Sequence, residues 1–266
     1  MSDEDISIDE KRVYAAKSGV TELYVATGLG LAVVSVSDDI VGEFSLVRRC
    51  TATDVATDAD RLVVATDEDV LVADRTDQTF RETGFGPASA VALTDGALLA
   101  GDDDGRVARY DDGEWTELGT VGEVRAIDGD LVAASDGAFR LDDDGLSHVG
   151  LDDVRDVTTS GTPVAATGDG LYYLGPGWAK ARDGDFTTVD RDESQAHAAT
   201  VDALYEQVDG EWTEREVPRD GPVVALAHGP GTYALTENGT VLVDVGDGWR
   251  DRALGLRDVA GLAVAP

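Results

Sequence analysis

One short pattern recurs along the chain: an apolar run ends in a small residue and then threonine or an equivalent, and a polar turn follows. The copies are Glu22-Leu-Tyr-Val-Ala-Thr27, Arg61-Leu-Val-Val-Ala-Thr66, Ala97-Leu-Leu-Ala-Gly101, Asp130-Leu-Val-Ala-Ala-Ser135, Thr162-Pro-Val-Ala-Ala-Thr167, Ala196-His-Ala-Ala-Thr200 and Gly231-Thr-Tyr-Ala-Leu-Thr236. Their last residues are separated by 39, 35, 34, 32, 33 and 36 positions, a narrower spread than chance placement of apolar runs gives. Each unit reads as four short strands. In the third unit these are an inner run Ser89-Ala-Val-Ala-Leu-Thr94, the repeated run, Gly105-Arg-Val-Ala-Arg-Tyr-Asp111 and Glu114-Trp-Thr-Glu-Leu118. Period-two alternation over four to seven residues, punctuated by Asp-Gly turns, favours tight hairpins and leaves no room for long helices.

The fold class this predicts is all-β: a seven-bladed β-propeller of short four-stranded blades, closed by a terminal strand. Alanine is a poor strand former, yet Ala26, Ala65, Ala100, Ala134, Ala166 and Ala199 recur at one place, as expected where wedge-shaped blades converge. Bulk belongs further out, and the fourth strands open with Phe44, Phe80, Trp115, Trp178, Trp212 and Trp249, assigned to packing between neighbouring blades. From Thr236 through the C-terminus to Thr27 the count is 57 positions, about 20 more than one period. Two segments there resemble an inner strand, Lys11-Arg-Val-Tyr-Ala-Ala16 and Val259-Ala-Gly-Leu-Ala-Val-Ala265. The C-terminal one is favoured as the closure, because pairing it with the first blade removes an exposed edge. The irregular stretch from Asp185 to Pro218 leaves six or eight blades open. The domain reading is an acidic tail over residues 1–10 and a single propeller domain over 11–266.

Composition adds an environment. With 54 acidic and 21 basic residues the net charge is −33, which repels a phosphate backbone or an anionic membrane leaflet, so neither nucleic acid nor membrane is expected as a partner. The usual area scaling gives roughly 11,000 Å², or about one net charge per 340 Å² and a mean spacing of roughly 18 Å. That spacing lies well inside the ~30 Å screening length at 0.01 M salt and far outside the ~3 Å at 1 M, so the fold is expected to gain stability as salt rises. Only Lys11, Lys17 and Lys180 accompany the arginines, whose planar fork pairs carboxylates best. Cys50 is alone, which excludes an internal disulfide, and residues 1–10 carry no apolar targeting segment, so a cytoplasmic location is expected.

The segment Asp9-Glu-Lys-Arg-Val-Tyr14 followed by Glu22-Leu-Tyr-Val-Ala-Thr27 resembles a family of haloarchaeal β-propeller proteins in the broad WD40/YVTN-like group. The resemblance implies a propeller fold and a salt-rich habitat, and it attaches no catalytic residue. The Gly-His and Trp-Asp pairs of WD40 blades are absent, and Asp111-Asp-Gly-Glu-Trp115 matches an Asp-box only in part.

Chemistry is sparse. His148, His197 and His228 fall in different repeats without metal-ligand spacing, and read as scattered structural or surface residues. Gly28-Leu-Gly30 lacks the third glycine of a dinucleotide fingerprint, and no nucleophile elbow occurs. The Asp102-Asp-Asp-Gly105 and Asp142-Asp-Asp-Gly145 turns lack the alternating ligand order of a calcium loop. No catalytic residue, cofactor or metal site is therefore expected. One constellation runs against the acidic background: Arg48, Arg49, Arg125, Arg155, Arg219 and Arg257 fall just before or at the start of an inner strand. They would gather guanidinium groups at one channel mouth, suited to carboxylate or phosphate recognition, or would pair with local acids such as Asp156, Asp220 and Asp258 and hold blades together. The leading functional expectation is a non-enzymatic scaffold for another protein in a high-salt cytoplasm, and the alternative is a small anionic ligand or hydrolase-like activity at the arginine-lined mouth.

Overall fold

The computed structural model describes residues 19–94, 96–142 and 145–265. The acidic tail 1–10 and the candidate strand 11–16 lie outside them. Seven four-stranded antiparallel sheets follow one another around a common channel, and no helix occurs among the described residues. The seven repeated runs are the second strands of the seven blades. Blades 2 to 7 begin with inner strands Ala52–Thr57, Ala90–Thr94, Val124–Asp128, Val154–Thr158, Phe186–Arg191 and Val223–His228. Blade 1 takes its inner strand from the other end of the chain: Val259–Val264 pairs with Val20–Thr27, as the C-terminal closure required. The irregular stretch forms an ordinary sixth blade, with outer strands Leu204–Val208 and Glu211–Arg215.

The repeated threonine has a local cause. Thr27, Thr66 and Thr167 each turn the hydroxyl onto the carbonyl three residues ahead, at 2.7, 2.6 and 2.9 Å, and each hydroxyl also accepts backbone N–H groups from the same turn. This side-chain turn closes the hairpin into the third strand. Blade 3 has Gly101 instead, where a Cβ would come within 2.4 Å of the Val124 side chain. Further out, Asp112-Gly113 and Asp209-Gly210 have φ values of 48°, 89°, 51° and 84°, the paired left-handed conformation of a two-residue hairpin. The recurring alanines are all fully buried, one strand out from the channel wall.

Outer aromatics fill the gap to the preceding blade. Trp115 Nε1 donates to Thr83 O at 3.2 Å, Trp178 Nε1 donates to Val149 O at 3.0 Å, and Trp249 stands edge-on to His197 with ring centres 5.9 Å apart. Phe80 and Trp212 pack into the interblade clusters. Phe44 departs from the expectation: it is 44% exposed. Its neighbour across the closure, the outer strand Arg250–Ala253 of blade 7, is only four residues long and exposed throughout. There Arg252 donates to Val41 O and Gly42 O, and Arg250 pairs with Asp39, so guanidinium groups close that gap instead of a ring.

Candidate functional site

Six of the seven inner strands carry a register shift near their start, the exception being Ala90–Thr94. A bulge adds one residue to the strand and re-aims its side chain. Arg125 and Arg155 occupy these extra positions in blades 4 and 5. At the equivalent place in blade 2, Thr53 donates to Ala88 O of blade 3 at 2.6 Å, and Ser89 of blade 3 donates to Val124 O of blade 4 at 2.7 Å. The two arginines continue the series, reaching Val154 O at 3.5 Å and Phe186 O at 3.4 Å. A chain of side chains thus ties the start of one blade to the start of the next.

These two guanidinium groups also pair with acids of the rim. Arg125 lies 2.6 Å from Asp153 and 3.6 Å from Glu123, while Arg155 lies 2.5 Å from Asp185 and 3.3 Å from Asp153. The Arg125 hydrogen bond, followed by the charges of both arginines, holds the Asp153 carboxyl below its usual range. Arg219 lies in the loop before the inner strand of blade 7 and donates to Val201 O, Asp202 O and Gly221 O, capping the turn of blade 6.

The other three are placed differently. Arg48 ends the outer strand of blade 1, Arg49 follows it, and Arg257 lies in the loop that leads into the closing strand. None of the three makes an ion pair with a described residue. All three border the turn 27–30. Gly30 abuts the backbone of Arg48 and Arg49, and Gly28 N–H donates to Asp258 O at 2.9 Å and to Arg257 O at 3.4 Å. Between them Leu29 is 64% exposed.

The channel encloses about 580 Å³ and is walled by all seven inner strands. Of its four aspartates sequence reasoning named only Asp156, as a local acid for the neighbouring arginine, but Arg155 pairs instead with Asp185 and Asp153. Each of the four reaches forward to the following blade: Asp54 accepts Val91 N–H at 2.9 Å, Asp128 accepts the N–H and hydroxyl of Thr159 at 2.5 and 2.7 Å, Asp156 accepts Val189 N–H at 2.9 Å and the Thr188 hydroxyl at 2.7 Å, and Asp190 lies 2.8 Å from His228 Nδ1. The lumen leaves Asp54 and Asp156 partly accessible, yet the ring surrounds them deeply enough for desolvation to dominate. Burial pushes Asp54 up to about 6 against two backbone hydrogen bonds. Asp156 rises to about 7 from burial, with the nearby charge of Asp190 adding to it. Asp190 is itself raised by burial, against its bond to His228.

His197 and His228 are not scattered. Their rings meet at 2.9 Å between Nδ1 of His197 and Nε2 of His228, giving a chain Asp190, His228, His197 that runs from the lumen to two buried imidazoles and joins blades 6 and 7. Burial, with the His228 charge next, holds the His197 imidazole down to about 3. His148 lies apart, on the outer strand of blade 4 against Phe139. Asp54 and Asp156 each stand opposite one of the recurring alanines, Ala65 and Ala166, a register that the bulges set and the sequence does not show. The pairing of histidines 31 residues apart has no mark in the sequence either. Among the described residues no group of three or more His, Cys, Asp or Glu is arranged to hold a metal ion.

Similar folds occur among solved structures. The chain superposes on the computationally designed Ika8 protein with a TM-score of 0.61 at 17% identity, covering 92% of this chain and 90% of that one. On the WD40 β-propeller domain of Doa1 the TM-score is 0.63 at 16% identity, over 79% and 85% of the two chains. A chain of the nidogen/laminin complex gives 0.57 at 12% identity, over 92% and 98%. At these identities the likeness is one of fold alone. No curated protein matches the sequence. A family model described as HVO_0234-like β-propeller matches residues 7–265. With nearly its whole length matched and seven blades closed into a ring, the chain belongs to the HVO_0234-like β-propeller family.

Proposed function

We propose that the protein is a non-enzymatic propeller scaffold that docks another protein on its rim at blade 1, in a high-salt archaeal cytoplasm. The observation that carries this reading is the division of the rim arginines. Arg125, Arg155 and Arg219 are engaged within the ring, whereas Arg48, Arg49 and Arg257 stand without carboxylate partners around exposed Leu29. An exposed apolar residue on a turn bordered by the backbone of three exposed arginines suits a protein contact, an apolar centre with a polar surround in which arginine is favoured. In a chain with a net charge of −33, this sector is also where an acidic partner meets least repulsion. At molar salt long-range attraction is screened, so Leu29 and direct hydrogen bonds from the arginines carry the contact. The lumen aspartates support a scaffold over an enzyme, since each is engaged in joining consecutive blades. Acid excess and the scarcity of lysine support the salt-rich habitat.

The same arginines favour a second reading, a small carboxylate or phosphate ligand at this sector. Capture of tagged protein at about 2 M salt from a haloarchaeal extract, beside an Arg49→Ala/Arg257→Ala variant, separates the two. A reproducible protein partner that the variant no longer retains is the expected result. A stoichiometric anionic metabolite lost in the variant shifts the assignment to the second reading. A partner retained equally by the variant contradicts both.

A further inference from the structure

The outermost strand of each blade has a free edge, and proteins blunt such edges by shortness or charge. Six blades comply. Their outer strands are short, two to seven residues long. The outer strand of blade 1, Ile40–Arg48, is nine residues long, the longest among the described strands, and holds only Glu43 and Arg48 as charges. Phe44 is 44% and Leu46 40% exposed on one face of it. Arg252 covers the carbonyls of Val41 and Gly42, which leaves the edge from Glu43 to Arg48 unpaired.

We propose that this edge pairs antiparallel with its counterpart on a second copy of the chain, joining the two first blades into one eight-stranded sheet about a two-fold axis centred on Ser45. A two-fold axis that continues a sheet runs perpendicular to it, so residues facing each other must share a face. Phe44 pairs with Val34 and Leu46 with Ala32 in the present sheet, so Phe44 and Leu46 are on one face. Centring on Ser45 sets Phe44 opposite Leu46 of the second copy, and Leu46 opposite its Phe44, which buries four exposed apolar side chains together. The register shift between Leu31 and Ala32 swings Arg48 to the face of Leu31, the face that Glu43 and Ser45 share. The same register therefore lays Glu43 beside Arg48 of the second copy, twice. No other outer strand offers this self-complementarity of apolar and charged positions. A contact made by one pair of strand edges belongs with the small, weak interfaces rather than the standard ones. It needs salt to screen two net charges of −33. The inference shares Arg48 with the docking sector, but its test uses the purified protein alone and so fails or holds apart from that reading.

Sedimentation from roughly 10 μM to 1 mM, at about 0.1 M and 2 M salt, reads it directly. The dimer fraction is expected to rise with concentration at the higher salt and to fall at least tenfold in affinity in Phe44→Lys, a change at an exposed site that leaves the ring folded. Glu43→Arg and Arg48→Glu are each expected to weaken the dimer, and E43R/R48E together to restore it. A monomer throughout, a dimer indifferent to Phe44→Lys, or single charge swaps that the double swap fails to rescue would overturn the proposal.

Discussion

At the scale of single residues, the lumen aspartates give the ring an unusual response to pH. Asp54 and Asp156 have carboxyl groups raised to about 6 and about 7 by burial. Between the unfolded value near 4 and these raised values the folded ring binds protons that the unfolded chain has released. Stability from this source is therefore greatest below the window and falls as pH rises from about 4 to about 7. Asp153 and Asp169 act in the opposite sense. Hydrogen bonds from Arg125, and from Thr167 and Lys180, hold these carboxyls low, so their contribution is present at neutral pH and lost only as pH falls below about 4. At about 2 M salt, where overall repulsion is screened, the thermal midpoint is expected to peak near pH 4–5 and decline towards pH 8. For Asp54 and Asp156 the decline is on the order of 1–3 kcal/mol each, the lower figure allowing for solvent screening of partly accessible side chains. An Asp54→Asn/Asp156→Asn variant should flatten it. A midpoint that climbs steadily from pH 5 to pH 8, or a slope unchanged in the variant, would contradict the placement of these groups.

At the scale of elements, the second strands were legible because they share an apolar run, with a small residue against the inner strand in six of the seven and a threonine at the following turn in five. The closure was legible for a related reason, since Val259–Val264 repeats the inner-strand pattern and removes the free edge of Val20–Thr27. The site was legible only in part. The concentration of arginines near strand starts is in the sequence, but what divides them is not. Arg125 and Arg155 sit at bulges, and a bulge arises from the mismatch of two paired strands rather than from either one. The pairing of His197 with His228 depends likewise on the angle between blades 6 and 7, which no local pattern encodes. Phe44 marks the converse case. It keeps the periodic position of the packed aromatics, yet it is 44% exposed, and across the closure the arginines of Arg250–Ala253 bond to Val41, Gly42 and Asp39 instead.

At the scale of the whole molecule, a surface carrying 33 net negative charges is held together by a ring that repeats one joint, a side chain at the start of one blade bonded to the start of the next. Repulsion across that ring is long-ranged and screened by salt, whereas the joints are short-ranged and are not. The thermal midpoint is expected to rise by about 5 °C or more between about 0.1 M and 2 M salt, the shift that roughly 2 kcal/mol gives in a chain of this size. A flat or falling dependence would remove the salt-rich habitat from the account. The most direct test of the docking sector is the hydrogen-exchange footprint of the complex recovered at molar salt, compared with the free ring. Slowed exchange confined to residues 27–31, 48–51 and 255–258 is the expected result, and a footprint on the opposite rim or within the lumen would contradict it.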